Sequence, residues 1–291
     1  MSLDIVVQAV ALGLLQGGVY ALIAAGLTLI YGVIKIVNFA HAEFVTLGMY
    51  LAAFAFNSLG ILPYTALIPI VLIVFLLGAA IERVCIRPAM RQPPINQMLI
   101  TIGISTVMLG VMQLVWGTDA QVVRLPFARS AITVFDIRLT VVRLIAFSFA
   151  MVLAVAFWYF LKKHRFGMAI RAASQNPDAA QLMGIDTRFI NSIVFGAGLA
   201  LAALGGALIS PALSIYPNVG IDVYLLPAFV IVVLGTMGNF LGALIGALII
   251  GVAEGLGGYL LGSSLKQLVS LSIFIAILLF MPRGLFGGRQ A

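Results

Sequence analysis

Apolar runs long enough to cross a bilayer follow one another along this chain, separated by short polar punctuation. No charge falls between Asp4 and Lys35, so that stretch reads as one long or kinked span with Gly13 and Gly17 in a GxxxG pair. Ile36–Ser58 makes a second span carrying Asn38, His41 and Glu43, and after a tight turn around Gly60 and Pro63 a third runs to Ile81. The basic segment Glu82–Gln92 reads as a loop, and Ile95–Trp116 as the fourth span. Gly117–Arg143 is a polar loop of mixed charge in which Thr133–Thr140 alternates in the manner of a short strand. Leu144–Leu161 is the fifth span, with Trp158 and Tyr159 at its interfacial end, and Phe189–Ser210 the sixth, stopped by Pro211. From Val223 to Leu265 only Glu254 is charged; this stretch has room for two spans turning at Gly235–Gly242, or for one span plus a re-entrant half-helix. The last apolar run, Gln267–Pro282, is short, and Lys266 can snorkel to lengthen it.

These elements predict an all-α integral membrane protein, a polytopic helical bundle of eight to nine transmembrane helices in a single domain spanning residues 1–291. The basic residues set its orientation. Lys35, Arg83, Arg87, Arg91, Lys162, Lys163, Arg165, Arg171, Arg188, Arg283 and Arg289 fall on one side, leaving Arg124, Arg129, Arg138, Arg143 and Lys266 on the other. The excess marks the inside, with the N-terminus outside and the C-terminus inside. Composition agrees: 63% of the 291 residues are hydrophobic and 9% charged, against about 25% charged in soluble domains. A β-barrel would alternate polar and apolar residues, which this chain does not. The net charge of +7 does not argue for nucleic acid, because the basic residues sit at the ends of apolar segments. The opening MSLDIVV has no basic n-region and reads as the start of a mature span. Cys85 is the single cysteine and can form no intrachain disulfide.

The longest stretch unsuited to hydrocarbon is Lys162–Arg188. Its first half is basic (Lys162, Lys163, His164, Arg165, Arg171), and its second half carries the marks of a short capped helix. Asn176 is an N-cap, Pro177 suits the first helical position, Asp178 complements the dipole and Gly184 is a stop. Pro177–Met183 would make a rod of roughly 10 Å, with Ala179, Ala180, Leu182 and Met183 as its apolar stripe. Such a helix offers a surface to something in the cytosol.

Glu43 and Glu254 are read as the two carboxylates inside apolar segments. Each would cost about 2.5–3.5 kcal/mol at a helix centre facing lipid, so both belong on a water-filled path or gate, or else in hydrogen bonds that hold helices together. On a regular helix Asn38 and His41 share one face, while Glu43 lies roughly 200° from His41; all three can line one path only where the helix is broken. With two His and one Cys no metal site is expected. No GxxxxGK[ST], HExxH or GxSxG occurs, so no enzyme is expected and any ATPase must be another chain. Gly242, Gly246, Gly251, Gly255, Gly257 and Gly258 allow close helix packing, or the unwinding found in transport paths.

Three stretches carry a resemblance: Gly17–Ala52 with its NFAH-x-E string, Arg165–Asp186 with NP-x-AA-x-x-x-GI, and Val233–Leu256, together with the closing MPRGLFG. Over nearly the whole chain they resemble the membrane permease of the high-affinity branched-chain amino acid ABC importer family. That resemblance implies a multi-pass subunit of the bacterial cytoplasmic (inner) membrane, with no cofactor of its own. It would work with a second, paralogous permease, two ABC ATPases that hydrolyse the ATP, and an extracytoplasmic substrate-binding protein. The segment 162–188 corresponds to the ATPase-coupling loop, with Arg171, Ala172, Asn176, Pro177, Ala179, Ala180 and Gly184 at the matching positions; the acidic residue that often opens this motif elsewhere is absent from Arg171-Ala172-Ala173. Asn38, His41, Glu43 and Glu254 would belong to the translocation path or gate. The implied cargo is amino acids, branched-chain first, with urea, amides or aromatic acids as alternatives within the family. An ion-coupled secondary transporter using Glu43 or Glu254 as proton carrier, and a passive channel for a small neutral solute, are the rival readings.

Overall fold

The computed structural model of the chain describes residues 3–128, 130–134, 137–262, 265–281 and 284–286. Apolar runs close into helices because a backbone removed from water must satisfy its own N–H and C=O groups. The first such helix, α1 (Leu3–Ile34), is followed by α2 (His41–Leu59) and α3 (Leu67–Ile81). A π turn (Glu82–Ile86) leads without a break from α3 into α4 (Arg87–Ala89), and α5 (Pro94–Trp116) follows. After the hairpin β1 (Ala131–Val134) and β2 (Ile137–Thr140) come α6 (Val141–Lys163), α7 (Arg165–Gln175), α8 (Pro177–Leu182) and α9 (Thr187–Ile209), which ends in a 3₁₀ turn (Ser210–Ala212). A second π turn (Ile221–Leu225) opens α10 (Leu226–Leu234), and α11 (Phe240–Leu260) and α12 (Lys266–Phe280) complete the described fold.

Seven helices among the described residues are long and apolar enough to cross a membrane, and two apolar helices, Ile221–Leu234 and Lys266–Phe280, are shorter. The chain is thus a polytopic helical bundle. At its centre lie α1 and α9, with 83% and 89% of their most apolar stretches buried, whereas α5 and α6 bury only 22% and 17% and form the outer wall. α1 packs against α11, α9 and α6, and α9 also receives α2 and α3. Glycines set the closeness of α1 to α11: a Cβ on Gly251 would lie 2.5 Å from Gly17 Cα, and one on Gly255 2.8 Å from Gly13 Cα. The GxxxG pair read in α1 therefore meets a second one, Gly251-x-x-x-Gly255, in α11.

Three expectations change. The Glu82–Gln92 segment is mostly helix, not loop. Pro88 would clash with the carbonyl of Val84 in a regular α-helix, and the wider π turn before it absorbs the misfit. The same device recurs at Ile221–Leu225, two residues ahead of Pro227. In the 162–188 loop the basic half is itself a helix, α7, burying Gly167, Ile170 and Ala173 at helical spacing. The Val223–Leu265 stretch does not hold two full-length helices: α10 has nine residues after a five-residue π turn, roughly 20 Å against a hydrocarbon core of about 30 Å. The alternating Thr133–Thr140 segment does pair as a hairpin, with Val134 opposite Ile137, while its Phe135 and Asp136, like Arg129, Arg283 and Arg289 of the charge reading, lie outside the described residues.

Two polar ties anchor the hairpin end. Gln8 of α1 bonds both backbone groups of Arg138 at 2.8 Å, and Gln121 and Ile215 exchange two backbone bonds of 2.8 Å.

Candidate functional site

The capped helix forms as read. Asn176 Oδ1 accepts from Ala179 N (3.0 Å), Pro177 takes the first turn, and Gly184 turns the chain at φ +82°. The Ile185 and Gly184 amides then return to the carbonyls of Ala180 and Gln181 (3.0 and 2.9 Å), satisfying the helix end. Asp186 caps α9 in turn, accepting from Arg188 N (3.0 Å) and Phe189 N (3.1 Å), and Gln181 Nε2 donates to Thr187 Oγ1 at 2.6 Å. α8 is thus bolted to the start of a central helix. The expected apolar stripe splits in two: Ala180 is buried at 4% exposure, while Leu182 and Met183 stand 89% and 82% exposed at the tip. Ala179 and Pro177 are exposed beside them. Two residues of the set act inside the chain: Ala172 O accepts from Asn176 N (3.1 Å), and the Arg171 guanidinium donates to the carbonyls of Leu161 and Lys162, capping α6.

Against the first turns of α9 lies an ionic cluster that the sequence reading missed. Glu82, fully buried, accepts from Arg87 Nη2 (2.8 Å) and from Ser192 Oγ (2.6 Å), and Arg87 Nη2 also reaches Arg188 O (3.1 Å). Glu82 is therefore a third buried carboxylate beside Glu43 and Glu254. Its partner lies five residues on, the spacing a π turn brings to one face, so an α-helical reading of the sequence sets them apart.

The four path candidates do not converge on one spot. Between α1 and α2 the helix breaks over residues 35–40, with Lys35 at φ +62°. The chain then turns back into the bundle, and His41 Nε2 meets Ile23 O at 2.9 Å, about three turns before α1 ends. α2 thus starts deep in the bundle. The break answers the geometric condition set by the sequence: Asn38 sits in non-helical backbone, where its Oδ1 accepts from Ala40 N (3.2 Å), and Glu43 Oε1 accepts from Ser105 of α5 (2.9 Å). Asn38 Nδ2, His41 Nδ1 and Glu43 Oε2 are buried with no hydrogen-bond partner. A second interruption meets the first, as Gly220 N, leading into the π turn before α10, donates to Thr46 Oγ1 of α2 (2.9 Å). Glu254 lies elsewhere, accepting from Tyr20 of α1 (2.7 Å) and Ser270 of α12 (2.5 Å). Thr101 and Ser105, one turn apart in an apolar run, were the available signal for Glu43's partner; nothing local pointed to Tyr20 or Ser270.

At the opposite end from α8, Arg124, Arg138 and Arg143 line a cavity of about 990 Å³ beside the 3₁₀ turn.

A helical bundle with buried polar breaks and a rigid, apolar-tipped helix at one end is the build of a polytopic membrane transporter. Residues 9–278 match the family described as "Branched-chain amino acid transport system / permease component", and the chain belongs to that family of transport permeases, which are not enzymes. The high-affinity branched-chain amino acid transport system permease protein LivH of Salmonella typhimurium is 31% identical, covering 94% of this chain and 93% of its own. LivH of Escherichia coli K12 aligns with the same identity and coverage. BraD of Pseudomonas aeruginosa, named in the same terms, is 29% identical over 94% of both chains.

Proposed function

We propose that this chain is the membrane-spanning subunit of an ATP-driven importer that carries amino acids, branched-chain ones first, across the bacterial inner membrane. The observation that carries the reading is α8: an apolar tip, Leu182 and Met183, held out from a base fixed by Asn176, Gln181 and Asp186. Exposed apolar groups on a rigid mount suit a protein partner, here one of two ATPase subunits. Because α8 is bonded to the first turn of α9, and Arg188 and Ser192 of α9 hold the Arg87–Glu82 pair, a pull on α8 reaches α9 and, through it, the turn that continues α3.

The N-terminus is then outside and α7–α8 inside. Nine crossings fit that topology: the seven long helices, α12, and the segment 213–220 with the short helix it leads into. The interruptions before α2 and α10 leave irregular backbone and the unpaired atoms of Asn38, His41 and Glu43 in the interior, where a translocation path would supply their partners. A paralogous permease completes the path, and the arginine-lined cavity at the outer end suits the acidic surface of a substrate-binding protein. The chain itself carries no cofactor.

The test replaces Leu182 and Met183 by Glu in cells that hold the whole transport system. Leucine uptake should fall more than tenfold and the ATPase should no longer co-purify, while the amount of permease in the membrane is unchanged. Undiminished ATP-dependent uptake would overturn the coupling role.

A further inference from the structure

A cavity of about 390 Å³ lies between α1, α11 and α12, at the end of the bundle where α1 and α6 begin. Its lining carries charges of both signs. Glu254, 4% exposed, contributes a carboxylate steadied by the hydroxyls of Tyr20 and Ser270. Arg143, in the first turn of α6, and Lys266, the first residue of α12, contribute two cations. None of the three is in an ion pair; among the described residues the salt bridge is Arg87–Glu82. Ile5, Leu12, Leu213 and Val223 add an apolar wall.

Glu254 is buried with hydroxyl partners but no cation, and Arg143 and Lys266 are half-buried beside it. Charges held at the edge of hydrocarbon without an opposite charge are unfavourable. A simple cation would answer Glu254 and leave Arg143 and Lys266 uncompensated, and a simple anion would do the reverse. A small zwitterion answers both at once, and the volume lies within the range of small-molecule sites. We propose that this cavity is an entry subsite for a free α-amino acid, with the ammonium on Glu254, the carboxylate between Arg143 and Lys266, and the aliphatic side chain on the Ile5, Leu12 and Val223 wall. Resting on the importer reading above, this places first contact at the outer end. The larger arginine-lined cavity shares Leu12 and Arg143 with it, so a molecule released there has a direct way in.

The experiment measures binding of radiolabelled L-leucine to the purified full chain in nanodiscs. Leucinamide, which lacks the carboxylate, and 4-methylpentanoate, which lacks the ammonium, serve as competitors. Saturable leucine binding is expected, with each analogue competing at least tenfold more weakly. Lys266→Met should weaken leucine binding about tenfold and Arg83→Gln, on an exposed surface, should not. Glu254→Gln should restore the standing of 4-methylpentanoate relative to leucine; Lys266→Met carries the test if that variant does not fold. No saturable binding, equal competition by both analogues, or an unaltered Lys266→Met would overturn the subsite. Parallel uptake by cells holding the whole system separates the two ideas. Chain-dependent leucine uptake with no binding in nanodiscs overturns the subsite alone, whereas binding without any chain-dependent uptake overturns the importer reading.

Discussion

Gly251→Ala adds one methyl group where α1 and α11 touch backbone to backbone. The new Cβ would sit 2.5 Å from Gly17 Cα and 2.6 Å from Gly17 N, where non-bonded carbons rest at about 3.5–4.0 Å. No rotamer relieves a clash with main chain, so the two helices must separate by about 1 Å. A gap of that size forfeits up to about half of the dispersion well for atom pairs across it, and overpacking of this kind costs about 1–3 kcal/mol. Alanine returns at most about 1 kcal/mol of helix propensity over glycine, leaving a net loss of about 1–2 kcal/mol. Gly103→Ala in α5 makes the same chemical change where a Cβ meets nothing within 4 Å, so only the propensity gain remains. Thermal midpoints read by fluorescence-detected size exclusion in detergent should drop by several degrees for Gly251→Ala and hold or rise for Gly103→Ala. Equal midpoints for the two variants would refute the claim that close backbone contact holds α1 on α11.

Arg87→Met removes the only cation paired with buried Glu82 among the described residues and should destabilise the protein by about 3–5 kcal/mol. The double change Glu82→Gln with Arg87→Met should recover most of that loss in the same assay, and a double variant as unstable as the single one would count against an ionic cause. Asn176→Ala deletes the cap on α8, worth about 1 kcal/mol. Hydrogen exchange over 177–183 should quicken while the middle of α9 stays protected, Asn176→Asp should behave as wild type, and unchanged exchange in the alanine variant would show that the cap contributes nothing.

What the sequence determined by itself is whatever depends on local chemistry or on the solvent. Long uncharged runs have one stable answer in hydrocarbon, so the helical bundle was legible before any contact was known. The end signals of α8 were equally readable, because Asn176, Pro177 and Gly184 act within a few residues of themselves. Gly13 and Gly17 announced a close helix contact. Their partner did not follow, since several glycine pairs in the last third of the chain had the right spacing and only the packed bundle selects Gly251 and Gly255. Tertiary structure also decided the fate of the carboxylates. Glu82 looked like part of a solvated basic loop until the π turn ahead of Pro88 carried the helix onward and buried it against Ser192. Leu182 and Ala180 were one stripe by periodicity, yet α9 covers one side of α8 and leaves the other bare. Asn38, His41 and Glu43 were adjacent in sequence and ambiguous in direction, because whether they share a surface depends on where α1 stops. That point goes with the turn at Lys35 and the return of His41 to the carbonyl of Ile23, a contact beyond the reach of helical periodicity. Local patterns name the helices; long-range packing, whose energy no short window contains, decides which faces meet and which polar groups are left to do work.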